Sequence, residues 1–117
     1  MEFEVTFYKK ADGSYPAEDF IRTLEPKMRA KVLRLIQTLA ALGIDLREPY
    51  SKPLGDGIFE LRAQSGNNTA RVLYFFVIGR RVVLTNGFVK KTQKTPRSEI
   101  DLAKKYRSDY LNKEVRK

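Results

Sequence analysis

The 117-residue chain contains no cysteine, no histidine and no tryptophan, and only 5 prolines and 7 glycines. Without cysteine there is no disulfide framework and no thiolate nucleophile. Without histidine there is no Ser-His-Asp triad, and the two absences together exclude a zinc finger or a His/Cys-ligated zinc or iron site. No metal and no other cofactor is expected. The modest glycine and proline content excludes a collagen-like or low-complexity polymer. No apolar run approaches the roughly 20 residues that span a bilayer, and the opening Met-Glu-Phe-Glu-Val carries acid where a signal peptide carries base. Lack of cysteine also suits a reducing compartment. The expectation is a soluble, cytoplasmic protein with no membrane partner.

What is present describes a basic, packed domain. Hydrophobic residues make up 42% and aromatic residues 11% of the chain, enough for a core of its own, so a single domain over residues 1–117 is expected. The 23 Lys and Arg outnumber the 14 Asp and Glu, for a formal net charge of +9. This excess is uneven: residues 1–50 carry 8 basic and 8 acidic side chains, whereas residues 51–117 carry 15 and 6. A basic segment within a folded domain faces an anionic partner such as nucleic acid, a membrane surface or an acidic protein, or else serves as a solvated surface.

Phe3, Val5 and Phe7 alternate with Glu2, Glu4 and Thr6, which predicts an opening strand with one buried face. Pro16 stands at a first helical position, followed by Ala17, Phe20, Ile21 and Leu24 on the apolar side of a short helix. Pro26 opens a longer helix in which Met28, Val32, Leu35, Ile36, Leu39 and Leu42 keep helical spacing until Gly43. Asp45 to Gly57, with two prolines and two glycines, reads as a loop. Ile58–Gln64, Ala70–Ile78 and Val82–Val89 then form a meander of three strands. A final helix is predicted from Thr95 as cap, Pro96 and Glu99, with Ile100, Ala103, Tyr106 and Tyr110 on one side, a spacing that favours packing over exposure for both tyrosines. The order β-α-α-β-β-β-α implies an α+β domain: an antiparallel or mixed sheet of about four strands, a helix hairpin on one face, and a second face partly open to solvent.

Two constellations carry chemistry. Glu60, Arg62 and Gln64 share one side of their strand. If Gly66-Asn67 forms a two-residue turn, Arg62 lies directly across from Arg71, and a slip of one residue would break that pairing. Facing arginines repel unless an acid or an anion lies between them; either Glu60 neutralises the pair, or the pair is a fork-shaped phosphate clamp. The second constellation is Phe88-Val89-Lys90-Lys91-Thr92-Gln93-Lys94-Thr95-Pro96, where lysines, hydroxyls and an amide precede a helix N-terminus, a setting able to surround a phosphodiester. Such groups suffice for RNA cleavage by the substrate's own 2′-hydroxyl, which needs a base, stabilisation of the pentavalent phosphate and a proton for the leaving 5′-oxygen.

The run Ile58-Phe59-Glu60-Leu61-Arg62, then Arg71-Val72-Leu73-Tyr74-Phe75, then Asn86-Gly87-Phe88-Val89-Lys90-Lys91-Thr92-Gln93-Lys94-Thr95-Pro96 with Glu99-Ile100 and Ala103, closely resembles the phage-derived, HigB-like branch of the RelE/ParE toxin superfamily. The resemblance covers essentially the whole chain. It implies the RelE-like fold and the toxin of a type II toxin–antitoxin system, one that enters the ribosomal A site and cleaves mRNA. It further implies neutralisation by a HigA-like helix-turn-helix antitoxin in a heterotetrameric complex that meets operator DNA only through the antitoxin. Arg71 falls where RelE-like toxins keep an arginine on the scissile phosphate, and Arg62 lies on the preceding strand. Lys90, Lys91 and Lys94 fall where the family places late basic residues. The implied catalytic set is Arg62 and Arg71 on phosphate, Lys91 or Lys94 as proton donor or charge stabiliser, and Glu60 as base or as orienting group for Arg62. Lys90, Arg80, Arg81, Gln93 and Arg97 are the implied RNA contacts. Two alternatives share the basic composition: a ParE-like toxin that inhibits gyrase without cleavage, and a non-catalytic RNA- or ribosome-binding module.

Overall fold

The computed structural model describes residues 2–90 and 94–115. The chain runs β1 (Glu4–Phe7), α1 (Pro16–Thr23), α2 (Pro26–Leu42), a 3-10 turn (Gly43–Asp45), β2 (Ser51–Gly55), β3 (Ile58–Ser65), β4 (Asn68–Val77), β5 (Arg81–Lys90) and α3 (Arg97–Val115). One mixed sheet takes the order β1-β5-β4-β3-β2. β1 lies parallel to β5, while β2 to β5 are antiparallel neighbours. The α+β class and the meander follow the sequence pattern.

The first two helices begin where their sequence requires, and the second ends where its glycine stands. Pro16 and Pro26 occupy first-turn positions whose N–H groups need no partner, and the Glu25 side chain caps α2 by accepting from the Met28 N–H at 2.7 Å. At the other end Gly43 takes a φ of +53°, and its N–H returns to the Leu39 carbonyl. A β-carbon there would sit 2.0 Å from the Phe3 ring, so glycine is also what lets β1 close over the end of α2. From α1 and α2, Ala17, Ile21, Leu24, Met28, Val32 and Leu39 pack on Leu61, Ala63, Ala70, Val72, Tyr74, Val82 and Leu84 of the sheet. α1 reaches β5 closely because Gly87 has no side chain: a β-carbon at that position would come within 2.3 Å of the Phe20 ring.

Three expectations are corrected. The sheet has five strands, not about four, because the expected loop Asp45–Gly57 contains β2. Pro53 and Gly55 mask a strand in the sequence, but β2 lies at the sheet edge, where a missing N–H is tolerated, and its register slips between those two residues. The second face, expected to be partly open to solvent, is instead packed. α3 lies on it, and Ile100, Ala103, Tyr106 and Tyr110 pack with Tyr8, Ile58, Leu73, Phe75 and Val83. Lys104 anchors the helix to the β2–β3 turn through Asp56, with Nζ and Oδ2 2.6 Å apart. The final helix begins at Arg97, so Thr95 is not its cap: the Pro96 carbonyl accepts from the Glu99 N–H at 3.1 Å, and the Asn86 side chain donates to the Glu99 side chain at 3.0 Å. Both late tyrosines pack as their spacing predicts, Tyr106 stacked on Tyr8 at 4.6 Å and Tyr110 edge-on to Phe75 at 5.9 Å.

Candidate active site

The β3–β4 hairpin has the register expected of a two-residue turn at Gly66-Asn67, with Ser65 opposite Asn68 and Arg62 opposite Arg71. Because side chains alternate along a strand, Glu60 and Arg62 share the α3 side of the sheet, with Arg71 across from Arg62. The first apolar residue that α3 packs on this face is Ile100, with Leu73 and Phe75, and toward Arg71 the packing gives way to charge. Glu60 is the hub. Its Oε1 accepts from Arg62 Nε at 2.7 Å; its Oε2 accepts from the Thr95 hydroxyl and lies 3.8 Å from Arg71 Nη1. Arg71 Nη1 also donates to Thr95 Oγ1 at 3.3 Å.

Burial grades the three charges. Glu60 is 0% exposed and Arg71 2%, whereas the Arg62 side chain retains 14%. Two guanidiniums facing one another across a hairpin would repel strongly in such a setting, and the carboxylate between them offsets the repulsion. Burial pushes the Arg71 guanidinium below the ordinary arginine value, against the pull of Glu60 and with a smaller push from Arg62. An anion arriving beside Arg71 therefore meets a poorly hydrated cation whose orientation is already fixed. Both arginines line a cleft of about 770 Å³ that extends past the Arg62 end of β3.

The other sequence-derived candidates divide by position. Lys90 ends β5 opposite Thr69, and exposed Lys94 directly precedes Thr95, so its backbone is anchored one peptide, about 3.8 Å, from the cluster. Lys91 and Gln93 lie outside the described residues. Arg97 opens α3, exposed and paired with Asp101 at 3.4 Å. Arg80 and Arg81 are not brought to this end of the sheet. Arg81 pairs with Val77, six residues along β4 from Arg71 and thus about 20 Å away. Its guanidinium holds Glu114 at 2.8 Å and Glu4 at 3.1 Å, while Arg80 lies over the Phe3 ring. Thr95 is the residue that sequence reasoning placed in the wrong role: read as a helix cap, it bridges Glu60 and Arg71. Lys31, Arg34 and Tyr50, which border the same cleft, come from α2 and the chain before β2, and no local motif marks them.

A family model for the phage-derived Gp49-like proteins matches residues 19–108, which includes the hairpin, Thr95 and most of α3. The chain belongs to this HigB-like family. Two curated relatives, each named a probable endoribonuclease HigB1, come from Mycobacterium tuberculosis strains CDC 1551 / Oshkosh and ATCC 25618 / H37Rv. This chain is 35% identical to each over 97 residues, which cover 83% of this chain and 75% of the relative. The resemblance drawn from the Glu60-Leu61-Arg62, Arg71 and Phe88–Pro96 segments is thereby borne out at the level of family. Within this HigB-like chain, the matched region brings those segments together in space, since Glu60, Arg62, Arg71 and Thr95 form one connected cluster.

Proposed function

We propose that the protein is the toxin of a type II toxin–antitoxin pair, an endoribonuclease that acts in the cytoplasm on mRNA in the ribosomal A site and is silenced by a HigA-like helix-turn-helix antitoxin. The observation that carries this reading is the Arg62–Arg71 pair, held in place by one buried carboxylate beside an open cleft. Arg71 and Arg62 bind the scissile phosphate and stabilise the added negative charge as the 2′-oxygen attacks phosphorus. The 2′-O–P bond forms as the 2′-hydroxyl proton passes to solvent water, the P–5′-O bond breaks, and the products are a 2′,3′-cyclic phosphate and a 5′-hydroxyl. Lys94 or Lys91 supplies the leaving oxygen's proton. Both oxygens of Glu60 are already engaged, by Arg62 on one side and by Thr95 and Arg71 on the other, which favours orienting the arginines over acting as the base. Similarity to probable HigB1 endoribonucleases supports the reaction class.

The test is cleavage of a defined mRNA on purified 70S ribosomes, with a ribosome-free control, by the wild type and by Arg71→Ala and Arg62→Ala variants. Arg62 is the more exposed of the two, so its variant remains informative where loss of Arg71 disturbs folding. Cleavage within the A-site codon that requires ribosomes and falls at least 100-fold in either folded variant is the expected result. A folded, growth-inhibiting protein that leaves the mRNA intact overturns the reading; gyrase supercoiling then separates a ParE-like inhibitor from a simple ribosome binder.

A further inference from the structure

The cleft beside Arg62 and Arg71 continues beyond the charged cluster. β2 pairs with β3 only as far as Ser51 opposite Leu61, so β3 runs on past the end of its neighbour. At that step the preceding chain is pinned to β3: the Tyr50 carbonyl accepts from the Arg62 N–H at 2.9 Å, and the Tyr50 N–H donates to the Arg47 carbonyl at 3.0 Å. Tyr50 is nonetheless 52% exposed. Across the gap, Lys31 Nζ donates to the Gln64 carbonyl at 2.8 Å, and exposed Arg34 lies one turn further along α2. Lys31, Arg34, Arg62 and Arg71 border this space against one lining carboxylate, Glu48. Its 770 Å³ falls within the roughly 300–1,000 Å³ of ligand clefts.

A rigidly mounted aromatic ring in solvent, flanked by cations and continuous with a phosphate clamp, has the parts of a single-stranded nucleic-acid track: a stacking platform for a base and an electrostatic path for the backbone. We propose that this limb of the cleft is a nucleotide subsite for the RNA residue adjoining the bond held by Arg62 and Arg71. Tyr50 stacks on its base, Lys31 and Arg34 hold its outer phosphate, and Glu48 accepts from a base amino group. Adjacency to the cleaved bond rests on the endoribonuclease reading; occupancy of the cleft by RNA does not. Tyr50, mounted next to Arg62 through the backbone, is then a specificity-determining residue.

The chain has no tryptophan, so Tyr50→Trp introduces a single tryptophan at the subsite, which can be excited selectively over the tyrosines. Titration with a non-cleavable 2′-O-methyl oligoribonucleotide is expected to quench its emission, less so as salt rises or when Lys31→Ala and Arg34→Ala are added. On a pool of mRNAs randomised around the cut, Tyr50→Ala is expected to lose about tenfold in discrimination at one flanking position and to raise KM with kcat largely kept, while Tyr50→Phe behaves as wild type. Unchanged preference and KM in Tyr50→Ala, or quenching by an antitoxin but not by the oligonucleotide, overturns the subsite. Quenching by the oligonucleotide with no cleavage by the wild type overturns the endoribonuclease reading and leaves the RNA subsite standing.

Discussion

The α3-facing side of the sheet carries an arginine network at each end, built from the same residue types for different purposes. At one end Arg81 gathers Glu4, Glu114 and the Tyr110 hydroxyl, with its side chain 34% exposed. At the other end Arg62 and Arg71 share Glu60, which is fully buried. In the first network water competes for every charge, so each pair contributes little. In the second, water is excluded, and the groups depend on one another, since removing one leaves another charge buried and uncompensated. The difference teaches that the number of ion pairs says little about role: the exposed network ties the end of α3 to the sheet, while the buried one fixes two arginines beside a cleft, where the proposed function gives them a phosphate to bind.

The largest effect expected from breaking this contrast is that of Glu60→Ala. Leaving Arg71 and Arg62 facing each other without an acid is expected to cost about 3–5 kcal/mol in urea unfolding, with loss of cleavage; a cost below about 1 kcal/mol would place the two arginines farther apart in solution than their contacts with Glu60, 2.7 Å for Arg62 and 3.8 Å for Arg71, imply. Thr95→Val keeps the shape but removes the hydroxyl between Glu60 and Arg71. It is expected to cost about 1–3 kcal/mol and to lower cleavage, whereas a helix cap alone would leave cleavage untouched.

At the β1 edge of the sheet, Tyr8→Phe sharpens the comparison through pH. The Tyr8 phenol is held well above its ordinary value of 10.0, first by burial and then by its 2.5 Å hydrogen bond to Asp109, with Tyr106 stacked on it and Lys113 over its ring. A raised folded-state value means that the stabilisation is complete below pH 10.0 and declines as pH rises through and above it. Tyr8→Phe should therefore be about 0.5–1.5 kcal/mol less stable at pH 8, with the gap to wild type narrowing above pH 10. Burial also raises Tyr74 on the other face, so some alkaline loss persists in the variant. Parallel stability curves for the two proteins would refute the assignment. Arg81→Ala is expected to do least: a smaller shift of the unfolding midpoint than Thr95→Val, reduced further by added salt, and no change in cleavage.

The sequence made the hairpin at the heart of the site legible, because a Gly66-Asn67 turn fixes register and period-two alternation fixes the face. The opening strand, both N-terminal helices and the packing of Tyr106 and Tyr110 were legible for the same reason: local spacing determines them. β2 was not, since Pro53 and Gly55 are read as breakers unless one knows that the strand lies at an edge. Nor was the burial of Glu60. Alternation shows which side a residue faces, but not that Thr95, 35 residues later in the segment leading into α3, closes over Glu60 on that side. Thr95 was misread because a threonine before a proline and an acid has the local pattern of a cap, and only the tertiary structure reveals that its hydroxyl is used elsewhere. The cleft wall from Lys31, Arg34 and Tyr50 depends wholly on contacts distant in sequence.

The pairing of β1 with β5 has a consequence for the order in which this chain acquires its shape. Glu4 lies beside Arg81, 77 positions further on, and Glu60 waits 35 positions for Thr95. Long-range pairings must overcome the entropy of closing the intervening chain before they stabilise anything, so such sheets form late and slowly. During synthesis the N-terminal strand has no partner until β5 has left the ribosome, and the charged cluster is incomplete until the segment after β5 follows. A truncated or half-made copy of this chain thus lacks both the β1–β5 pairing and the Glu60–Thr95 contact until the segment after β5 has been made.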